Sequence, residues 1–341
     1  MTARRGIIPI FIPHLGCPHD CVFCNQKRIS GTLSPATPED VAKTIEEGLT
    51  HCRLPAQCAF YGGSFTAIPV NEQLALLGAA QPYIRAGELE SIRLSTRPDA
   101  IDPNTLVRLR EHGVSVIELG AQSMDDGVLR KSGRGHSASD TARAAALIKQ
   151  FGFSLVLQMM TGLPGSDDER DVESARRIIA LAPDGVRIYP TVIIKDTPLY
   201  ELWREGKYTE HTVEDAVRVC ARLLPMFEDA GVTVIRLGLN PTDELSGGAA
   251  AGGAYHPALG ELVKSRVMLN RVREMLSSTP HGQKILKNVP SQLRLQTSPA
   301  CVSQLVGQHR CNAEALCAEF GFQSVKVIPL PKLSDGEIDF G

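Results

Sequence analysis

The chain has 341 residues, 43% of them hydrophobic, with 36 basic and 38 acidic side chains and a formal net charge of −2. This allows one large core with a small appendage, and the near balance of charge excludes a global field that would mark a nucleic-acid or membrane partner. No stretch approaches the roughly 20 consecutive apolar residues of a bilayer span, and the apolar opening at residues 7–12 is broken by Pro9 and Pro13 with no cleavage site behind it, so a soluble, cytoplasmic protein is expected.

From residue 7 to about 195, short β-rich runs alternate with longer amphipathic ones, the pattern of parallel βαβ units. The predicted strands are 7–12, 58–61, 91–95, 115–119, 154–160 and 185–193. Each is largely apolar, as strands covered on both faces are. Between them the spacing predicts helices over 38–49 behind a Thr37 cap, 71–84, 103–112 behind Asp102, 139–151 and 168–181. Six strand–helix repeats fall short of the eight that close a full barrel. The expected fold is therefore α/β, a partial (β/α)6 TIM-like barrel. Beyond residue 196 the rhythm changes: 198–205 and 213–231 read as helices, 233–239 as a strand, and the run GGAAAGG ending at Gly253 as a flexible loop. A helix over 256–277, a strand at 292–296, a helical stretch at 302–320 and a strand at 324–328 suggest a small α/β extension. The expected division is a barrel over 1–240 and an extension over 241–341.

Nine cysteines in a chain without a secretion signal favour metal ligation or buried thiols over a disulfide framework. Cys17-Pro18-His19-Asp20-Cys21-Val22-Phe23-Cys24 lies just after the first strand, at the edge where barrel enzymes assemble their sites. Three thiolates at C-x3-C-x2-C spacing can each hold one iron of a [4Fe-4S] cluster, leaving the fourth iron open. Zinc with His14 or His19 as fourth ligand is the alternative on spacing alone. Cys52, Cys58, Cys220, Cys301, Cys311 and Cys317 lack metal spacing and read as core or helix-face residues.

The cysteine motif, with Phe23 before its last cysteine, resembles the radical S-adenosylmethionine (SAM) superfamily, and further segments fall in register with it. Tyr61-Gly62-Gly63-Ser64-Phe65-Thr66 resembles the glycine pair that receives the methionine amino group. Gln122 in Glu118-Leu119-Gly120-Ala121-Gln122-Ser123 matches a glutamine that contacts the ligand, and Arg134 an arginine that pairs its carboxylate. Gln158, ahead of Met159-Met160-Thr161-Gly162-Leu163-Pro164-Gly165, matches a residue that reaches the ribose. The resemblance thus implies cluster ligands Cys17, Cys21 and Cys24, and SAM contacts from Phe23, Gly62, Gly63, Ser64, Gln122, Arg134 and Gln158. It implies reductive cleavage of SAM to methionine and a 5′-deoxyadenosyl radical, fed by a reduced flavodoxin or ferredoxin-type donor.

Ser95-Thr96-Arg97-Pro98-Asp99, Arg187-Ile188-Tyr189-Pro190-Thr191 and Gly206-Lys207-Tyr208 resemble the radical domain of the elongator catalytic subunit, which acts on tRNA wobble uridine. The chain is similar to stand-alone elongator-like radical proteins with no room for the acetyltransferase domain, and the segment Ala254–Leu262 resembles their C-terminal extension. An RNA base is the expected substrate. The alternatives are a small molecule or tetrapyrrole, as in coproporphyrinogen oxidases, and a non-catalytic iron-sulfur or haem carrier. From the residues alone, Lys27-Arg28, Arg130-Lys131 with Arg134, and Arg204 with Lys207 form a phosphate-tracking rim or are ordinary solvated charges, and Tyr61, Tyr189 and Tyr255 are candidate stacking platforms. His136 and His256 read as core or surface histidines.

Overall fold

A computed structural model describes residues 6–17, 21–30, 34–52 and 54–341, the side chains of Lys27 and Arg28 excepted. His19 and the Lys27-Arg28 side chains of the sequence reading therefore lie outside the described residues. The chain divides into two compact units, Met1–Thr212 with Met226–Tyr255, and Val213–Pro225 with His256–Gly341.

The first unit opens with β1 (Ile7–Phe11), α1 (Gln26–Ser30) and α2 (Pro38–Leu49). α2 begins where a capping box allows: the Thr37 hydroxyl accepts from Asp40 N, and Asp40 accepts from Thr37 N in return. Then come β2 (Ala56–Tyr61), α3 (Val70–Arg85), β3 (Leu89–Thr96), α4 (Pro103–Glu111), β4 (Val114–Gln122), α5 (Asp126–Lys131) and α6 (Ala138–Gln150), the last capped by a Ser137–Asp140 box. β5 (Ser154–Thr161), α7 (Asp168–Ala180), β6 (Gly185–Pro190), β7 (Val192–Ile194), α8 (Pro198–Arg204), α9 (Val213–Asp229), β8 (Thr233–Leu237) and β9 (Ala250–Gly253) follow. The division between the units falls within α9.

Seven strands form one parallel sheet in the order β1-β2-β3-β4-β5-β6-β8, curled into a half-barrel, so the expected partial barrel is present. One residue set of each strand, including Ile92, Leu94, Ile117, Leu119, Leu155, Leu157 and Ile188, is fully buried beneath the covering helices. Each such side chain contributes about 1.5–3 kcal/mol of burial. The alternate set on the inner face is unusually polar: Arg93, Glu118, Gln122 and Arg187 are buried there. Apolar packing outside sets the register, and the register brings these polar groups together inside.

Two readings of the sequence differ from the structure. The strand at 233–237 continues the barrel sheet as its seventh member instead of standing outside the six repeats. The Gly/Ala run is no flexible loop: Leu245–Ala249 makes a helical turn and β9 pairs antiparallel with β7. Small residues serve close packing here, because a Cβ on Gly253 would fall 2.7 Å from the Thr191 carbonyl oxygen. The Gly253 N–H donates to Glu210 at 2.7 Å.

The second unit contains α10 (Leu259–Ser278), α11 (Pro280–Lys287), β10 (Gln292–Thr297), α12 (Val302–Val306), α13 (Cys311–Phe320), β11 (Ser324–Pro329) and β12 (Ile338–Phe340). Its sheet, in the order β11-β10-β12, contributes Leu293, Leu295 and Val325 to a core with Val272, Leu276, Leu305, Leu316 and Phe322. The sequence leads to a small α/β extension over 241–341; the compact unit instead comprises Val213–Pro225 with His256–Gly341, and residues 241–255 belong with the barrel. No helix among the described residues is long and apolar enough to cross a membrane.

Candidate active site

The cysteine loop is locked to the end of β2 before any side chain is considered. Ile12 N donates to Tyr61 O at 2.8 Å, His14 N to Gly62 O at 2.9 Å, and Ser64 N to Leu15 O at 2.9 Å. Only glycine permits this dovetailing. A Cβ on Gly63 would sit 2.4 Å from Leu15 O and 2.6 Å from Ile12 O, and one on Gly16 would sit 2.3 Å from Ser64 O. The Gly62-Gly63-Ser64 segment thus carries the loop that presents Cys17, whose Sγ lies 3.6 Å from Ser64 Oγ.

Cys21 and Cys24 are held by donors. Arg134 Nη1 donates to Cys21 Sγ at 3.2 Å and Nη2 to Gly120 O at 2.6 Å, while Gln26 Nε2 donates to Cys24 Sγ at 3.4 Å. Burial, with Cys21 adding to it, pushes the Cys24 thiol up to about 12. A metal ion that takes the place of its proton would hold it as a thiolate. Among the described residues no trio of His, Cys, Asp or Glu converges on a single ion. His14 Nε2 accepts from Gln26 N at 3.0 Å, which commits the lone pair that zinc would need.

All three cysteines line a cavity of about 520 Å³ in the first unit, together with Phe23, Gly62, Gly63, Ser64, Gln122, Arg134 and Gln158. Every predicted site residue therefore meets in one place. Four buried side-chain atoms without a hydrogen-bond partner belong to lining residues: Ser95 Oγ, Arg97 Nη2, Gln122 Oε1 and Arg134 Nε. Gln122 also sits at a β-bulge with φ of 64°, a conformation that costs free energy in a non-glycine residue. A strained residue with an idle amide oxygen, in a cavity that also holds idle guanidinium nitrogens, leaves hydrogen-bonding capacity open to a polar ligand.

The cavity floor holds a network that the sequence reading did not single out. Glu118, fully buried, accepts from Arg187 Nε at 2.8 Å and Nη2 at 3.2 Å, from Arg93 Nη1 at 3.2 Å, and from the Tyr61 hydroxyl at 3.0 Å. Gln158 Nε2 donates to it at 3.4 Å. Arg187 also lies over the Tyr61 ring, 5.6 Å from its centroid. The available signal was charged residues inside apolar strands, the same signal that drew attention to Gln158.

Other candidates separate from the site. His136 is a core histidine with Nε2 3.2 Å from Ala121 O, and burial beside Arg134 lowers its pKa to about 4. His256 caps Ala258 N in the second unit. Arg204 pairs with Glu201 and Lys207 with Glu205 at the surface, which matches solvated charges better than a phosphate rim. Tyr61 and Tyr189 line the cavity, and Tyr255 bonds Ser246 instead.

The family model described as the radical SAM superfamily matches residues 11–178, and that of the radical SAM C-terminal domain matches residues 183–268. The tRNA uridine(34) acetyltransferase of Dehalococcoides mccartyi is 27% identical over 246 residues, which is 60% of this chain and 53% of that protein. Elongator complex protein 3 of Homo sapiens is 36% identical over 138 residues, 40% of this chain and 25% of that protein. The matched region thus spans about half of one relative and a quarter of the other. Among solved structures, Elp3 from Methanocaldococcus infernus superposes with a TM-score of 0.62 at 23% identity, covering 78% of this chain and 63% of that one, a likeness of fold.

Proposed function

The chain belongs to the radical SAM superfamily, and from that premise we propose that Cys17, Cys21 and Cys24 hold one [4Fe-4S] cluster and that the adjoining cavity binds SAM for modification of an RNA base. Enzymes of this superfamily use both cofactors. The observation that carries the reading is the meeting, in one cavity, of the three cysteines with four buried polar atoms that lack partners. The donor set fits: three thiols at C-x3-C-x2-C spacing that line one cavity suit a cluster taking one thiolate per iron.

When bound, the pair supplies reductive cleavage of SAM, with a flavodoxin or ferredoxin-type protein as electron source. The chain's own residues bind and orient. Arg134, steadied by Gly120 O and Cys21, has Nε free for the ligand's carboxylate. The Gly62-Gly63-Ser64 segment, lining the cavity, would receive the amino end with backbone groups not already bonded to the cysteine loop, and the idle Gln122 oxygen would serve the same ligand. Gln158, anchored to Glu118 by its amide nitrogen, keeps its amide oxygen for a ribose hydroxyl. Phe23, Met160 and Val192 supply apolar wall that keeps water from a reactive carbon centre.

The RNA assignment is supported by relatives named for tRNA uridine and for elongator. The division of labour we propose is catalysis within Met1–Thr212 with Met226–Tyr255 and an accessory role for Val213–Pro225 with His256–Gly341. Anaerobic reconstitution followed by electron paramagnetic resonance of the reduced protein tests the site. A cluster signal that SAM perturbs, absent in Cys21→Ala, is the expected result; a signal indifferent to SAM contradicts it. Retention of bare tRNA at low salt with steep loss on adding salt tests the substrate.

A further inference from the structure

Arg187 and Arg236 are direct cross-strand partners on β6 and β8, and both line the cavity. Strand neighbours lie about 5 Å apart, and like charges in that position destabilise a sheet unless counter-charge meets them. The only carboxylate among the described lining residues is Glu118, and it is already shared between Arg187 and Arg93. Arg236 has no ion pair or hydrogen bond with any described residue. With Arg93 drawing on the same carboxylate from β3, Glu118 cannot neutralise both Arg187 and Arg236, and the β6–β8 wall keeps an excess of positive charge. Tyr189, Asn240 and Thr242 line the same end and add hydroxyl and amide donors. Arg97 and Arg134, by contrast, line the cavity with the cysteines, Arg97 bound to Asp99 and Arg134 to Cys21.

We propose that the β6–β8 edge of the cavity is an oxyanion subsite, in which Arg236 backed by Arg187 binds a phosphate or carboxylate carried by the substrate. The inference rests on the reading that this cavity holds the substrate. The planar fork of Arg236 meets two oxygens of such a group at once, and the anion supplies the charge that the strand pairing lacks. In a nucleic acid the group is a phosphate beside the modified nucleotide; in a small molecule it is a phosphate ester or carboxylate.

Calorimetric titration of the purified protein with inorganic phosphate at low ionic strength tests this without any turnover. Wild type is expected to bind phosphate saturably in the millimolar range. Arg236→Gln is expected to weaken binding about tenfold or more, and Arg236→Lys, which keeps the charge but not the fork, by an intermediate factor, each at a melting temperature no lower than that of wild type. Repeating the comparison in Arg134→Gln protein removes the competing guanidinium near the cysteines. Uridine 5′-monophosphate binding more tightly than phosphate assigns the subsite to a nucleotide, and acetate competing as well as phosphate assigns it to a carboxylate. Equal phosphate affinity in wild type and Arg236→Gln, in both backgrounds, overturns the proposal, as does the absence of saturable binding below about 100 mM. Because the titration reads neither iron nor SAM, its failure leaves the cluster assignment standing, and loss of the cluster assignment leaves the titration interpretable.

Discussion

Replacing Glu118 by Gln removes one negative charge from a floor that holds Arg93 and Arg187, each with only 11% of its side chain exposed. At an effective dielectric of about 20, Coulomb's law gives roughly 6 kcal/mol for the 2.8 Å contact to Arg187 and roughly 5 kcal/mol for the 3.2 Å contact to Arg93. The neutral amide returns part of this because it no longer bears the desolvation of a buried carboxylate. The net loss expected for breaking such a buried pair is about 3–5 kcal/mol. For a unit of this size about 2–4 °C follow each kcal/mol, so the melting temperature should fall by about 6–20 °C. Urea unfolding followed by circular dichroism should show a lower midpoint at an unchanged slope. The double variant Glu118→Gln/Arg187→Met should be markedly more stable than the sum of its single changes, because it restores the charge count. A fall below about 1 kcal/mol, or additivity within about 0.5 kcal/mol, would refute the reasoning that Glu118 is the counter-charge of the floor.

Arg134→Ala removes a charge-assisted contact of about 1.5–3 kcal/mol, so SAM affinity measured by equilibrium dialysis should drop about 10- to 150-fold while iron content holds; unchanged affinity contradicts the assigned role. Gly63→Ala forces a Cβ against the carbonyl oxygens of Leu15 and Ile12 and should cost about 1–3 kcal/mol, displacing the Cys17 loop. Iron retained per chain should fall with the circular dichroism spectrum preserved, and full iron loading would contradict the dovetail. Burial raises the Asp171 carboxyl to about 7, although the Ser166 hydroxyl and Gly162 N–H oppose the shift. A carboxyl whose pKa is higher in the folded state stabilises below its unfolded value near 4 and loses that contribution as pH rises through about 7. The stability of wild type relative to Asp171→Asn should therefore decline between pH 4 and 7, by about 4 kcal/mol, and a flat difference would contradict the shift.

The parts of this molecule that act locally were legible in the sequence. Thr37 and Asp102 announce the helices they cap, and the apolar runs announce the strands. The cysteine loop and the Gly62-Gly63 pair could be placed at neighbouring strand ends because each follows its own strand directly. The Glu118 floor was not legible, since it joins Tyr61, Arg93, Glu118, Gln158 and Arg187 from five strands, and no local pattern fixes which buried charges meet. Arg236 was hidden for a related reason: its strand follows the long α9, outside the six strand–helix repeats, and only the folded backbone sets it beside β6 as the seventh strand of the sheet. Glycine composition misled at 247–253, where small side chains serve close strand packing.

The most direct test of the central claim is chromatography for 5′-deoxyadenosine after anaerobic reconstitution with iron and sulfide, dithionite reduction and addition of SAM, comparing wild type with Cys21→Ala. Wild type should yield 5′-deoxyadenosine and the variant none. A brown, cluster-loaded wild-type protein that forms no 5′-deoxyadenosine would contradict it and leave the chain an iron-sulfur carrier.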